Sequence, residues 1–182
     1  VDAVPKALAW AAGGPHRAVL VEAAAWYRSD VLFGSVPGRP SLEDFERWLQ
    51  ALAEAIEALA SDLPTVGHSE DGGRPHIERS QRGFAYVVVE RGAVLAGTET
   101  SDGLEILALS FMDTTHLVAS RWEMQHRHPT DDFRRRMFAK QLVLLDGLHP
   151  AWRRRRVDEL GVLLHDAGLD PESAEQVVSE AE

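Results

Sequence analysis

Hydrophobic positions along the chain change their spacing twice, and these changes predict three regions. From Ser41 to Leu63, apolar residues recur every three or four positions, which predicts an amphipathic helix with Ser41 as its N-cap. From Gly83 the spacing falls to two, as in strands, and after Asp113 it is again that of helices. The apolar face of the first helix is expected to pack on the strands and contains Phe45, Leu49, Leu52, Ile56 and Leu59.

The middle region is predicted to form a three- or four-stranded antiparallel meander. Three strands are expected at Gly83–Glu90, Ala93–Thr100 and Leu104–Phe111, with a further short strand at His76–Ser80. The hairpin turns are expected at Arg91-Gly92 and Asp102-Gly103, because such dipeptides accept the backbone angles of tight turns. The expected fold class is therefore α+β, with the meander packed on the long helix and with helical N-terminal and C-terminal regions.

The C-terminal third is predicted to be helical, with one ambiguous stretch. Asp113–His126 fits either a helix or a strand, since its apolar and polar residues also alternate. A helix from Thr130 to Asp146 is expected to begin with Asp131 and Asp132 in its first turn, and another to run from Pro150 to Ala167. Two short helices are expected before residue 29. We interpret residues 1–182 as one domain with three parts, namely 1–40, 41–111 and 112–182.

Composition excludes several classes of protein. The chain has 182 residues, a net charge of −10 and no cysteine, so disulfides and thiolate metal sites are ruled out. The acidic balance argues against general nucleic-acid binding, and no apolar run approaches the roughly 20 residues that cross a membrane. We expect a cytoplasmic location. The missing initiator methionine suggests a piece of a longer chain, and the preference for arginine over lysine suggests a GC-rich genome such as that of an actinobacterium.

Standard catalytic and cofactor motifs are missing from the sequence, and we expect no cofactor. The best metal candidate is His126-Arg-His128, with His116 nearby and Asp131 or Asp132 as oxygen ligands. An isolated pair of histidines two residues apart is a weak signal, and we expect no metal there. An enzyme of unfamiliar class that uses these residues is kept as an alternative.

Arginines give the clearest candidate for a binding surface. Residues 121–156 hold ten basic and four acidic side chains, a balance of +6 that leaves −16 for the rest of the chain. Cations are disfavoured at the start of a helix, where the dipole is positive, yet four arginines follow Pro150. They either form ion pairs with the acidic helix around Glu43–Glu57 or bind an acidic protein partner, and nucleic acid ranks behind both. The candidate partner-binding residues are Trp152, Arg153, Arg154, Arg155 and Arg156.

The order of elements from Ser41 to Gly168 resembles that of small secretion-chaperone and YbjN-like domains, which are accessory proteins around type VII secretion. Bacterial toxin-immunity proteins share the size, the acidity and the absence of catalytic motifs. Either resemblance implies a non-catalytic, protein-binding accessory protein. Whether the chain also forms a homodimer stays open.

Overall fold

The computed structural model describes residues 18–24, 40–127 and 132–181 and confirms the α+β class. These residues divide into two compact units. The first comprises the described residues up to Ser110 except Ile56–Ala58, and the second comprises Ile56–Ala58 and the described residues from Phe111 onward. That the whole chain acts as one domain stays a prediction.

In the first unit, helix α1 (Leu42–Glu54) begins as the sequence predicts. Ser41 and Asp44 form a capping box, in which the Ser41 side chain accepts from the Asp44 backbone N–H and the Asp44 side chain accepts from that of Ser41. The guanidinium of Arg47 donates to both carboxylate oxygens of Glu22, at 2.9 and 2.8 Å, and this hydrogen bonding lowers the pKa of Glu22. The pair links the helical residues 18–24 to α1.

Helix α1 is shorter than the apolar spacing predicts, and it ends at Glu54. Glu57 has a positive φ of 55°, and the side chain of Asp62 accepts a hydrogen bond from the Leu59 backbone N–H at 2.8 Å. These two local features replace the last turns of the helix with a turn and a 3₁₀ segment at Ala60–Asp62. Ile56 is still buried, but Leu59 is 53% exposed, so the prediction that it lies in the core is wrong.

The sheet contains four strands in the order β1-β2-β3-β4, among the residues that the structure describes. Strand β1 pairs in parallel with β2, whereas β2, β3 and β4 form an antiparallel meander. The predicted strands at 83–90 and 93–100 are confirmed, as is pairing of the 76–80 segment with the first of them. The strands are β1 (Thr65–Val66), β2 (Gly72–Ser80), β3 (Gly83–Glu90) and β4 (Ala93–Thr100).

The predicted strand at Leu104–Phe111 is wrong, because these residues begin helix α2 (Gly103–Gln125). The side chain of Asp102 accepts a hydrogen bond from the Leu104 backbone N–H at 2.8 Å, so the Asp-Gly pair starts a helix instead of a hairpin. Ile106, Leu107 and Ala108 are all buried. An apolar run that is buried on every side fits both the helical and the strand spacing, which explains the error.

Aromatic residues form the contact between α1 and the sheet within the first unit. The ring of Phe45 lies 4.6 Å from that of Phe84 and 5.2 Å from that of Trp48, both edge to face. Phe45, Trp48, Leu52 and Phe84 are each at most 1% exposed. The predicted packing of the helix face on the strands is therefore confirmed at the contact of Phe45 with Phe84, and Leu52 is buried as predicted.

The second unit is helical among its described residues. Besides the remainder of α2 it contains α3 (Phe133–Leu148), α4 (Pro150–Asp166), a 3₁₀ turn at Pro171–Ser173 and α5 (Ala174–Ser179). The ambiguous stretch 113–126 is thus helical up to Gln125. Asp132 is the N-cap of α3, and the helix continues through Gly147 to Leu148. The predicted roles of Thr130 and Asp131 lie outside the described residues, as does most of the predicted N-terminal helical region.

Helices α2 to α5 enclose a core in the second unit whose members include Trp122, Phe138, Leu142, Leu164 and Val177. No helix in the described part of the chain is both long and apolar enough to cross a membrane.

Candidate partner-binding surface

The arginine segment begins at an unusual helix start. Pro150 occupies the first turn of α4, where its missing N–H costs no hydrogen bond. Nδ1 of His149 accepts a hydrogen bond from the Ala151 backbone N–H at 3.2 Å. The first turn holds no acidic residue, so no carboxylate there offsets the helix dipole or the arginines that follow.

Three of the four arginines have partners within the second unit. Arg153 donates to the carbonyl oxygen of Pro171 at 2.7 Å and lies 3.4 Å from the Glu172 carboxylate. Arg155 and Arg156 both contact Glu159, at 2.9 and 3.3 Å. The acids that hold these cations therefore lie one turn along the same helix and in the following 3₁₀ turn.

Arg156 also contributes to a buried polar cluster. Its Nε donates to the side-chain oxygen of Gln141 at 3.3 Å, and Gln141 is fully buried. The amide nitrogen of Gln141 donates to the Met112 carbonyl at 2.9 Å. The pKa of His116 is lowered mainly by burial of its ring and, to a smaller extent, by the positive charge of Arg156. Arg156 therefore has a structural role in joining α4 to α3.

Arg154 differs from its neighbours. It is exposed, and it forms no hydrogen bond or ion pair with the residues that the structure describes. Its charge acts on His149, whose pKa is lowered first by burial and then by the guanidinium of Arg154. Of the four arginines, Arg154 is thus the one without a partner among the described residues, and its planar guanidinium can make bidentate contacts with a carboxylate.

Trp152 lies in the core. It is 4% exposed, and its ring stacks on Phe111 at 6.0 Å and on His149 at 5.3 Å. The spacing of Trp152, Leu160 and Leu164 along α4 places all three on one helical face, and all three are buried. Trp152 therefore packs in the core at the start of α4, and its side chain is not exposed at the surface of the helix.

A cleft of about 230 Å³ lies beside Arg153. Its charged lining consists of Arg153 with Asp146, Glu172 and Glu175, and the apolar lining comes from Val143, Pro171 and Ala174. Since Arg153 is already engaged by Pro171 and Glu172, the cleft adds no further free cation to the surface.

Two of the histidine and aspartate candidates, His126 and Asp132, have structural partners. Nδ1 of His126 lies 2.8 Å from the Trp122 carbonyl, and the two rings stack at 4.6 Å. Asp132 caps α3, and hydrogen bonding to Arg134 lowers its pKa. His128 and Asp131 lie outside the described residues. Within the described ranges, no group of three or more histidine or acidic side chains could hold a metal ion.

Comparison with known proteins gives one finding. No curated protein and no solved structure matches the chain. The family model described as immunity protein 63 matches residues 80–161, a segment that contains β3, β4, α2, α3 and the arginine start of α4. The resemblance to secretion chaperones gains no support, and over residues 80–161 the chain is similar to the immunity protein 63 family.

Proposed function

We propose that the chain is a toxin-immunity protein, which protects a cell by binding a toxin without catalysing a reaction. The observation that carries this proposal is the match of residues 80–161 to the immunity protein 63 family. It favours immunity over the secretion-chaperone alternative, which rests only on the order of elements. The toxin would be met in the cytoplasm.

The start of α4 supports a protein-binding role and lies inside the matched segment. Arg154 is exposed in the first turns of α4, whose start is held by the buried ring of Trp152 and by the cap at His149. Arg153 and Arg155 flank it, each held by a glutamate that leaves the guanidinium partly exposed. We expect this arginine surface, defined as Arg153, Arg154 and Arg155, to contact carboxylates of the toxin.

We expect the gene of the chain to lie beside the gene of its toxin, and the test of function is protection against that toxin domain. A bacterial host that expresses this toxin from an inducible promoter should stop growing, and co-expression of the chain should restore growth. The purified chain should also bind the purified toxin directly. If a folded chain neither restores growth nor binds this toxin, the immunity proposal is wrong.

The same experiment separates binding from catalysis. A protein that acts by binding must be present in at least equimolar amount, because each molecule occupies one toxin. Titration of the chain against a fixed amount of toxin should therefore end the toxin activity near equivalence. Complete inactivation at a small fraction of equivalence would instead support the enzyme alternative.

A further inference from the structure

The two edge strands of the sheet differ in length. Strand β1 forms one edge and has only two residues, Thr65 and Val66, so it offers little backbone to another chain. Strand β4 forms the other edge and has eight residues. Natural sheets usually protect long edges with charges, proline or a covering element, since unpaired N–H and C=O groups bind other strands.

Apart from one β-bulge at Leu95, strand β4 lacks charges, proline and a covering element over most of its length. Residues 93–98 contain no charged residue and no proline, and residues 93–99 are exposed. Val94 and Leu95 are 68% and 60% exposed, although they are large and apolar. On β3, Val87, Val88 and Val89 are only half-buried. An apolar hairpin with an open edge is thus present within the described residues.

One irregularity determines where another strand could pair. Val88 is opposite Ala96 and Val89 is opposite Val94, so Leu95 is an extra residue, a β-bulge. The bulge bends the edge near the turn at Arg91 but leaves the pairing regular from Ala96 to Thr100. That length matches a short added strand, with Val94 and Leu95 as apolar contacts beside it.

Charge argues against a second copy of the chain as the occupant. Residues 1–55 and 59–110 carry fifteen acidic and nine basic side chains, a net charge of −6. Two such units repel each other, whereas a cationic protein is attracted to them. Both β3 and β4 also lie within the segment matched by the immunity family, but α1 does not.

We propose that the toxin adds a strand to the edge of β4 at Ala96–Thr100, with apolar side chains packing on Val94 and Leu95. The added segment is extended and has no acidic side chains. This proposal rests on the proposed function, and the carboxylates expected for Arg154 would lie elsewhere on the toxin. Backbone hydrogen bonds would supply affinity, and the two apolar side chains would supply specificity.

The test uses the full chain and the toxin domain of the adjoining gene. Leu95→Lys places a charge at an exposed position and should weaken toxin binding by about 10-fold or more, with an unchanged melting temperature. Ala96→Pro and Gly97→Pro form a pair, because proline is tolerated at an edge only where the N–H points outward. Whichever of the two keeps the wild-type melting temperature should also lose binding. Val162→Lys is the matched control, since Val162 is 75% exposed on α4, and it should bind normally.

Hydrogen exchange gives an independent readout. Amides of residues 96–100 that point outward should exchange rapidly in the free chain and become protected in the complex. If these amides are already protected in the free chain, another part of the chain covers the edge and the proposal is overturned. The proposal is also overturned if sedimentation shows a dimer that Leu95→Lys dissociates, because a second copy then covers the edge. Normal binding by Leu95→Lys and by the folded proline variant would also overturn it, while leaving the immunity function intact. If the wild-type chain does not bind the toxin at all, the proposed function fails and this inference fails with it.

Discussion

Nδ1 of His149 accepts a hydrogen bond from the backbone N–H of Ala151, and the histidine ring thereby serves as the N-cap of α4. A ring nitrogen accepts a hydrogen bond only when it carries no proton. Burial, and then the charge of Arg154, lowers the pKa of His149 below its usual 6.5. The neutral ring is thus the form that the folded state requires.

The stability of the protein should consequently fall in mild acid. Because the folded-state pKa of His149 is depressed, the unfolded chain binds the proton more readily, and the stabilisation is fully present only above about pH 6.5. It should be lost as the pH falls through the folded-state pKa. Urea unfolding at about pH 7.5 and about pH 5.5 measures the difference in the free energy of unfolding.

His149→Asn provides the control, since asparagine can cap a helix but does not titrate. It should reduce the pH dependence without abolishing it, because His116 remains and burial lowers its pKa as well. An unchanged pH dependence in His149→Asn would show that the cap does not contribute.

Two leucines of the α1 region provide a matched test of the core. Leu52 is fully buried, and Leu52→Ala should reduce the free energy of unfolding by about 2–5 kcal/mol through lost burial and the cavity left behind. Leu59 is 53% exposed, so Leu59→Ala should reduce the free energy of unfolding by less than about 0.5 kcal/mol. If urea unfolding shows equal losses of free energy for the two variants, the conclusion that α1 ends at Glu54 and leaves Leu59 exposed is wrong.

The sequence predicts those parts of the fold that depend on neighbouring residues. The hairpin turn at Arg91-Gly92 is an example, since both residues have positive φ, 52° and 75°, as a tight two-residue turn requires. Asp102-Gly103 carries the same signal but begins a helix. The dipeptide alone does not determine which occurs, because the Asp102 side chain can cap a helix as readily as it can support a turn.

The candidate surface could be predicted only in part, for a similar reason. The run of four arginines is visible in the sequence, but the pairing of Arg153 with Glu172 joins residues 19 positions apart and depends on the folded second unit. The burial of Trp152 could have been found from its spacing to Leu160 and Leu164. The open edge of β4 could not, because it depends on Leu104–Phe111 being a helix and not the next strand.

The start of α2 is tested by its cap. Asp102→Ala removes the acceptor of the Leu104 N–H and should lower the free energy of unfolding by about 1 kcal/mol. Asp102→Asn keeps a side-chain oxygen at the same place and should lose much less. Thermal unfolding of the two variants, compared with the wild type, checks the difference. If Asp102→Ala is as stable as the wild type, the cap contributes nothing.

The histidines near the end of α2 are expected to bind no metal. His126 uses Nδ1 for the Trp122 carbonyl and stacks on the Trp122 ring, so its orientation is set by the helix end. Elemental analysis of protein purified without an affinity tag or chelator should find no stoichiometric zinc, nickel or iron. A metal that is present in the wild type and lost in a His126→Ala, His128→Ala double variant would revive the enzyme alternative.

The arginines of α4 should separate into binding and structural residues. Arg154→Glu reverses an exposed charge with no partner among the described residues, so it should weaken binding of the adjoining toxin by about 10-fold and leave the melting temperature unchanged. Arg156→Glu removes a donor to buried Gln141 and places a second carboxylate beside Glu159. It should therefore lower the free energy of unfolding by about 1–3 kcal/mol.

Salt provides the final criterion for the arginine surface. The screening length shortens from about 10 Å at 0.1 M to about 3 Å at 1 M, so the difference in toxin affinity between the wild type and Arg154→Glu should shrink as salt is added. Titration calorimetry at several salt concentrations measures this difference. A loss of binding that does not depend on salt would indicate a steric effect of the substitution. If Arg154→Glu lowers the melting temperature and leaves toxin binding intact, Arg154 is a structural residue like Arg156, and the toxin contacts must lie elsewhere on the chain.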